Sequence, residues 1–310
     1  MNVLITGCAG FIGSHAVDHF LSEGYSVIGV DCLTYAGDMK NLKLALESEK
    51  FSFFKDDICN TSNIIELCEN YNIKWIINFA AETHVDNSID SCTGFIHSNI
   101  AGVHSLLECC RLTKTMLFHI STDEVYGSIK LGSFNENSKL NPRNPYSATK
   151  AAAEHIITSY HNTHDINFLM ARPSNNFGPR QHREKFIPTI LRSIKAGKRI
   201  PVYGDGKNIR DWLYVKDNVA AIQFILENSK LNETFNITLG DERSNIETVE
   251  IILDVMKKEF KESVEFVPDR LGHDFRYSID NSKLASLGFS RRTNFRDQIE
   301  ETINFFKMEK

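Results

Sequence analysis

The sequence predicts an α/β fold: a doubly wound parallel sheet with helices on both faces, followed by a smaller mixed α/β unit. Three observations predict it. Short apolar runs alternate with longer amphipathic stretches through the first half of the chain. The runs lack the in/out alternation of a half-exposed sheet, as strands covered on both faces do. The first run also leads through a cluster of glycines directly into the first amphipathic stretch.

Taken in order, residues 2–6 form the first strand around Val3-Leu4-Ile5, and residues 12–22 the first helix. Strands are expected at 26–31, 51–55, 75–79, 116–121 and 167–172, each built on a short apolar run such as Val27-Ile28, Ile76-Ile77 or Leu117-Phe118. The amphipathic stretches 62–70, 95–112 and 148–161 are the intervening helices. The rhythm changes after Arg172. Residues 173–188 are rich in Asn, Gly, Pro and charge and read as a loop. A helix at 187–196, a turn at Gly204-Asp205-Gly206, a helix at 215–226 and a closing helix at 296–306 complete the chain, without repeats or a long linker.

The 310 residues can bury a large core, and 42% hydrophobic with 24% charged residues is an ordinary globular balance. A net charge of -5 argues against nucleic acid or a membrane surface as partner, though not against small anions held by local Arg and Lys. The start of the chain lacks a signal-peptide pattern, and no stretch is apolar enough to span a bilayer, so a cytoplasmic location is expected. The seven cysteines, Cys8, Cys32, Cys59, Cys68, Cys92, Cys109 and Cys110, are odd in number and include no Cys-x-x-Cys pair or nearby His spacing. Reduced thiols packed as small apolar groups are expected, with no metal site.

Gly7-Cys8-Ala9-Gly10-Phe11-Ile12-Gly13 joins the first strand to the first helix. Its G-x-x-G-x-x-G spacing would serve a tight β–α turn, and equally a helix N-terminus that admits a pyrophosphate. Asp31 at the end of the second strand favours the second use, because a carboxylate there accepts from both adenosine ribose hydroxyls. It would repel a 2′-phosphate, and no Arg follows within 32–37, so NAD is favoured over NADP. Asp56-Asp57 either caps a helix or contacts the adenine. The simplest division is a Rossmann-type NAD-binding domain over 1–172 and a substrate-binding cap over 173–310, with some later segments returning to the first domain.

Tyr146-Ser147-Ala148-Thr149-Lys150 places Tyr and Lys one helical turn apart on one face. A tyrosine with a pKa of about 10 becomes a usable base only when a nearby cation favours the phenolate, and Lys150 is positioned to supply that charge. Ser121-Thr122-Asp123-Glu124-Val125-Tyr126-Gly127 ends a strand, where open α/β sheets hold their ligands. Two acids beside a Tyr/Lys pair supply what a dehydration needs beyond hydride transfer, an acid and a base.

With these motifs the chain resembles the extended short-chain dehydrogenase/reductases, and within them the dTDP-glucose 4,6-dehydratase family. Ala80-Ala81-Glu82-Thr83-His84-Val85-Asp86, the run Ser121 to Gly127, and Arg172-Pro173-Ser174-Asn175-Asn176-Phe177-Gly178-Pro179 carry the likeness. Tyr203-Gly204-Asp205-Gly206-Lys207-Asn208-Ile209-Arg210-Asp211-Trp212 and Asp269-Arg270-Leu271-Gly272-His273-Asp274 extend it to about residue 290. The resemblance implies oxidation of a nucleotide-linked glucose at C4, elimination of water across C5–C6 and hydride return to C6. It gives Tyr146 the 4-hydroxyl proton, with Lys150 beside it, and makes Thr122 the group that orients that hydroxyl. Glu124 becomes the C5 base and Asp123 the acid for the departing C6 hydroxyl.

The same likeness implies cofactor contacts at Gly7, Gly10, Phe11, Ile12 and Gly13, at Asp31, Cys32, Leu33 and Thr34, and at Asp57 and Ile58. Ala80, Ala81, Thr83, Ser98, Tyr146, Lys150 and Asn176 complete the cofactor set. Substrate contacts follow at Thr83, Thr122, Asn175, Lys185, Phe186, Pro201, Tyr203, Asn245 and His273, with Arg210 and Arg270 on the pyrophosphate. A homodimer is implied, with residues 95–112 and 148–161 pairing across a two-fold axis, although those apolar faces would also serve as core. Cys8 stands where the family often has Gly, and Leu271 where it has Pro. Thymine and uracil differ by one methyl, worth about 1–3 kcal/mol, and the base stays open. A nucleotide-sugar 4-epimerase would share fold, cofactor and the Tyr146/Lys150 pair but has no use for Asp123-Glu124. A non-catalytic NAD sensor has no physical need for Thr122, Tyr146 and Lys150 together.

Overall fold

The six apolar runs of the first half form β1 (Asn2–Thr6), β2 (Ser26–Asp31), β3 (Phe51–Lys55), β4 (Trp75–Asn78), β5 (Met116–Ile120) and β6 (Phe168–Pro173). The second half adds β7 (Asn175–Phe177), β8 (Ile200–Tyr203), β9 (Ile209–Tyr214), β10 (Glu233–Ile237), β11 (Glu242–Ser244) and β12 (Val264–Val267). This computed structural model describes residues 1–269, 275–291 and 294–308. Arg270 and His273 lie outside them.

Seven strands make one parallel sheet in the order β10-β6-β5-β4-β1-β2-β3. Successive residues along each strand enter different cores. Val3, Ile5, Val27, Ile77 and Phe118 pack under helices Phe11–Ser22 and Val215–Asn228. Leu4, Ile28, Ile76 and Leu117 face helices Thr61–Asn70, Gly102–Thr113 and Pro145–His164. Both faces are covered, which is why the runs showed no alternation. Because β2 and β4 flank β1 on opposite sides, the chain crosses over there, and a crevice opens at the carboxyl ends of the strands.

The second half does not stay apart from this sheet. Helix Val215–Asn228 packs on the first core, and β10 pairs with β6 to become the edge strand. A separate core gathers Phe177, Ile187, Trp212, Tyr214, Ile252 and Phe295 between the β11-β9-β7 sheet and helices Phe186–Lys195, Asn245–Val255 and Phe295–Met308. The expected loop over 173–188 contains β7, a three-residue strand paired with β9. Among the described residues no helix is long and apolar enough to cross a membrane.

Two helices differ from the amphipathic pattern. The one expected from 148 begins at Pro145, because Asn144 caps it: its side chain accepts from Ser147 N at 2.8 Å while Ser147 Oγ accepts from Asn144 N at 3.3 Å. Pro at the first position needs no N–H partner. The stretch expected over 95–112 contains a π-helical segment at Ile96–Ala101 before Gly102–Thr113 resumes. Asn99 on that segment donates to Thr149 Oγ1 and Glu82 O and accepts from Glu82 N, tying three elements together beside the crevice.

A buried ion pair locks β6 to helix Pro145–His164. Arg172 Nη2 donates to Glu154 Oε2 at 2.5 Å, Arg172 Nε reaches the same carboxylate, and both side chains are buried. Ser121 Oγ also donates to Glu154, while Arg172 Nη1 donates to Tyr126 OH, which donates on to Asn236 of β10. Removing one partner leaves the other charge buried and unpaired, so Arg172→Met should lower the unfolding free energy by about 3–5 kcal/mol in urea titration. The double substitution Arg172→Met with Glu154→Leu should cost less than the single one. A single variant within about 1 kcal/mol of the parent would show that the pair is not structural.

Candidate active site

Bare backbone builds the first part of the crevice. Gly7 has φ +63°, and a Cβ there would lie 2.7 Å from Ala80 N; one on Gly13 would lie 2.1 Å from Gly7 O. The Phe11–Ser22 helix starts on Gly10 with no side-chain cap, so the N–H groups of its first turn are left for an anion. Phe11 and Ile12 turn their side chains to the cores behind this turn. Cys8, the departure from the family pattern, is fully buried, and its thiol occupies the space that Gly29 leaves open.

Asp31 ends β2 with one carboxylate oxygen on this turn and the other on the residues that follow the strand. Oδ2 accepts from Ala9 N at 2.9 Å and Oδ1 from Leu33 N at 2.7 Å. Burial pushes its pKa up, and the two N–H bonds oppose that rise. Each oxygen keeps a lone pair for a ribose hydroxyl. Cys32 and Thr34 are exposed beside it and Leu33 is half-buried. This cradle fits a dinucleotide: a clash-limited glycine turn, an uncapped helix start and a ribose acceptor in sequence.

The two aspartates after β3 separate in role. Asp56 accepts from Asp57 N, Asn60 and Asn63, serving the turn into the next helix. Asp57 accepts from Cys59 N at 2.8 Å and pairs with His97 Nε2 at 3.0 Å. Burial would raise the Asp57 pKa, but these partners outweigh it and hold it below the usual range. Ile58 is buried in the second core, while Ala80, Ala81 and Ser98 are half-buried at the crevice. Cys59 Sγ stands 3.9 Å from His97 Nδ1, so the fold groups Asp57, Cys59 and His97 within 4.8 Å, which spacing along the chain conceals. Both ring nitrogens of His97 already face a neighbour. Asn176 turns its amide inward, to Ser174 O and Asn218.

The reacting groups converge beyond β5. Thr122 opens a tight turn, Asp123–Tyr126, by accepting from Glu124 N at 3.3 Å, and its hydroxyl donates to Asp123 Oδ1 at 3.3 Å. The same hydroxyl is hydrogen-bonded to the Tyr146 phenol. Asp123 is 2% exposed, and its Oδ2 has no hydrogen-bond partner among the described residues. Burial raises its pKa well above the carboxylate range, with the Glu124 and Asp211 charges adding to the rise. Glu124 is half-buried, and Asn144, the helix cap, donates to its Oε2 at 3.2 Å. The capping residue of the Tyr146 helix therefore also positions Glu124.

Lys150 has buried partners of its own. Its Nζ donates to Ile120 O at 2.6 Å and lies 3.3 Å from His119 Nε2, and burial pulls its pKa down to about 8. Burial pushes the Tyr146 phenol well up, the Glu124 charge adds to that, and the Thr122 hydrogen bond opposes it. His119 was not anticipated. It is fully buried, and its Nδ1 meets Asn78 Nδ2 at 3.1 Å, with Asn78 Oδ1 accepting from Thr6 Oγ1 at 2.6 Å. Asn78 Nδ2 can only donate, so Nδ1 accepts and the single proton of the neutral imidazole sits on Nε2, facing Lys150 Nζ. A lone His within an apolar strand was the only trace of it in the sequence.

Over the cap side, Lys185 Nζ donates to Thr83 O at 3.0 Å, joining two expected substrate residues. Asn175 Oδ1 is buried without a partner. Phe186 stacks on Trp212 with centroids 6.2 Å apart. Pro201 and Tyr203 are half-buried on β8, and Asn245 opens its helix at half burial. Arg210 lies 4.6 Å above the Tyr277 ring, and its charge is felt at Asp123, so it borders the same site.

The model of the GDP-mannose 4,6 dehydratase family matches residues 4–302. A low-salt glycan biosynthesis protein of Haloferax volcanii is 44% identical over 99% of this chain and 98% of its own length. A dTDP-glucose 4,6-dehydratase of Streptomyces niveus is 40% identical over 99% and 93%. The crystal structure of a dTDP-glucose 4,6-dehydratase from Streptomyces venezuelae, with NAD bound, superposes with a TM-score of 0.96 at 37% identity, covering 100% of this chain and 98% of that one.

The depressed Lys150 has a measurable consequence. Between its folded value of about 8 and an unfolded value of about 10.4, the unfolded chain binds more protons, so stability rises with pH across that window. Urea unfolding of cofactor-stripped protein should become more costly between pH 8 and 10.4 by up to about 3 kcal/mol relative to Lys150→Met. Parallel pH profiles for parent and variant would mean that Lys150 titrates normally.

Proposed function

Because this chain belongs to the GDP-mannose 4,6 dehydratase family and is a full-length relative of dTDP-glucose 4,6-dehydratases, we propose the following mechanism for its site. It is an NAD-dependent 4,6-dehydratase that converts dTDP-glucose or UDP-glucose to the 4-keto-6-deoxy sugar nucleotide and water. The observation that carries the reading at residue level is Asp123, a buried acid whose Oδ2 has no protein partner, beside Glu124 and within one hydroxyl of Tyr146.

NAD, which the Gly7–Gly13 turn and Asp31 would hold, would supply the acceptor for the C4 hydride and its donor to C6. Tyr146 takes the proton of the 4-hydroxyl, which the Thr122 hydroxyl orients. The 4-ketone acidifies the hydrogen on C5, and Glu124, held by Asn144 at the mouth of the turn, removes it. Asp123, kept protonated by burial and by its acidic neighbours, gives its proton to the departing C6 hydroxyl. Glu124 then returns its proton to C5. Arg210, together with Arg270, meets the diphosphate, and Lys185, Phe186 and Asn175 border the sugar nucleotide.

The cap is assigned to residues 173–310 apart from 215–239 and the segment around helix Ser282–Ser286, which pack with the first sheet. The chain acts in the cytoplasm as a homodimer through helices Gly102–Thr113 and Pro145–His164, a reading supported by the exposed apolar residues Leu112, near the end of the first of them, and Ile96, at the start of the π-helical segment that leads into it. Light scattering should give twice the chain mass, and a monomer would end that assignment.

An Asp123→Asn/Glu124→Gln double variant should bind dTDP-glucose and develop reduced-nicotinamide absorbance, since oxidation at C4 needs neither carboxylate, yet make no 4-keto-6-deoxy sugar. Normal product from this variant would remove the two acids from the dehydration. No absorbance change with substrate and NAD both bound would place one carboxylate in the oxidation step.

A further inference from the structure

The dehydration mechanism, on which this inference rests, leaves one proton in the wrong place. The O4–H bond breaks and its proton goes to Tyr146, while the C4–H bond breaks and its hydride goes to the nicotinamide. The C5–H bond breaks, its proton goes to Glu124, and the same proton later forms the new C5–H bond. The C6–O bond breaks as Asp123 protonates the leaving hydroxyl, and the hydride forms the new C6–H bond. Product and water then account for every atom of substrate, and the cofactor is back in its oxidised state. Tyr146 is nevertheless left protonated and Asp123 ionised. The next turnover needs the reverse, so one proton must pass from Tyr146 to Asp123 in every cycle.

The path is already built. Thr122 Oγ1 is hydrogen-bonded to Asp123 Oδ1 at 3.3 Å and to the Tyr146 phenol, and Glu124 N donates to it at 3.3 Å, fixing the hydroxyl between them. Thr122, Asp123 and Tyr146 are 8%, 2% and 7% exposed, so bulk water has little access to any of the three. We propose that the Thr122 hydroxyl is the return relay of the cycle: Tyr146 passes its proton to Thr122 Oγ1 as Thr122 passes its own to Asp123 Oδ1. A half-turn of the carboxyl about Cβ–Cγ then presents the new proton where the partnerless Oδ2 stood.

The electrostatics favour that direction. Burial, Glu124 and Asp211 make Asp123 reluctant to remain ionised. Burial and the Glu124 charge hold Tyr146 towards phenol as well, so the direction would be decided by the positive charge that an oxidised nicotinamide would bring beside it after hydride return.

Thr122 has then two duties, orienting the 4-hydroxyl and resetting the acid, and Thr122→Val and Thr122→Ser separate them. Quenched-flow measurement of 4-keto-6-deoxy sugar should show Thr122→Val making about one equivalent per site, then continuing at least about tenfold more slowly than its own first turnover. Thr122→Ser, which keeps the hydroxyl, should show no such burst. At fixed pH, imidazolium buffer should speed the later turnovers of Thr122→Val and leave the parent unchanged, because a small acid replaces the missing relay. Later turnovers of Thr122→Val as fast as its first, however slow both are, would overturn the relay. Absence of product from the unaltered protein would instead overturn the functional reading beneath it.

Discussion

The Glu154 carboxylate is the contact from which the catalytic turn hangs. It receives Ser121 Oγ, the residue immediately before Thr122, and the guanidinium of Arg172 at the end of β6, from within the helix that carries Tyr146 and Lys150. Those three elements come from distant parts of the chain, and only a buried, charged acceptor with several lone pairs can hold them in one register. Through Arg172 the network extends to Tyr126, which closes the turn, and through Tyr126 to Asn236 on the edge strand. The return of β10 to the sheet is thus part of what fixes the positions of Asp123 and Glu124.

Around that scaffold the site places acids and bases of opposite tendency under one roof. Burial drives Asp123 towards its neutral acid and Lys150 towards its neutral amine, and it drives Tyr146 towards phenol. Within the protein, then, these three groups are biased to the uncharged form. An oxidised nicotinamide held by the glycine turn and Asp31 would add a cation to this pocket, beside a Lys150 that is itself bonded to Ile120 O and His119. The protein supplies pre-shifted groups and the cofactor supplies the charge that selects among them, so acid–base readiness is coupled to cofactor occupancy and redox state.

How much of this the sequence disclosed depends on how local each cause is. The strands, the glycine turn, Asp31 and the Tyr146/Lys150 spacing are local: a few neighbouring residues decide them, and all were legible. The helix start at Pro145 was also written locally, in Asn144 and Ser147, but amphipathic periodicity begins only later and points to 148. The π-helical segment 96–101, the pairing of β10 with β6 and the grouping of Asp57, Cys59 and His97 rest on contacts across tens of residues, which no period reveals. His119 is the sharpest case. Within Met-Leu-Phe-His-Ile it reads as an interruption of a strand, and its meaning appears only when Lys150 and Asn78 arrive from two other elements. The substrate residues are scattered over the cap's loops and short strands, so motif likeness alone could gather them.

Adjacent acids in one sequence can hold different charges only if the backbone sends them into different surroundings. The tight turn after Thr122 does this within a single residue step: Asp123 is driven under the turn, where burial and the neighbouring carboxylates refuse its ionisation, while Glu124 emerges half-buried towards the amide of Asn144. A low-dielectric pocket lined by acids favours a carboxylic acid at Asp123, while Glu124 accepts from an amide, so in the proposed mechanism the pair divides into acid and base with no difference in intrinsic chemistry. Thr122 makes that division by capping the turn through Glu124 N, and its hydroxyl is left in contact with Asp123 on one side and Tyr146 on the other. The feature that separates the two acids is therefore also the feature that connects the buried one to the only group whose proton it needs.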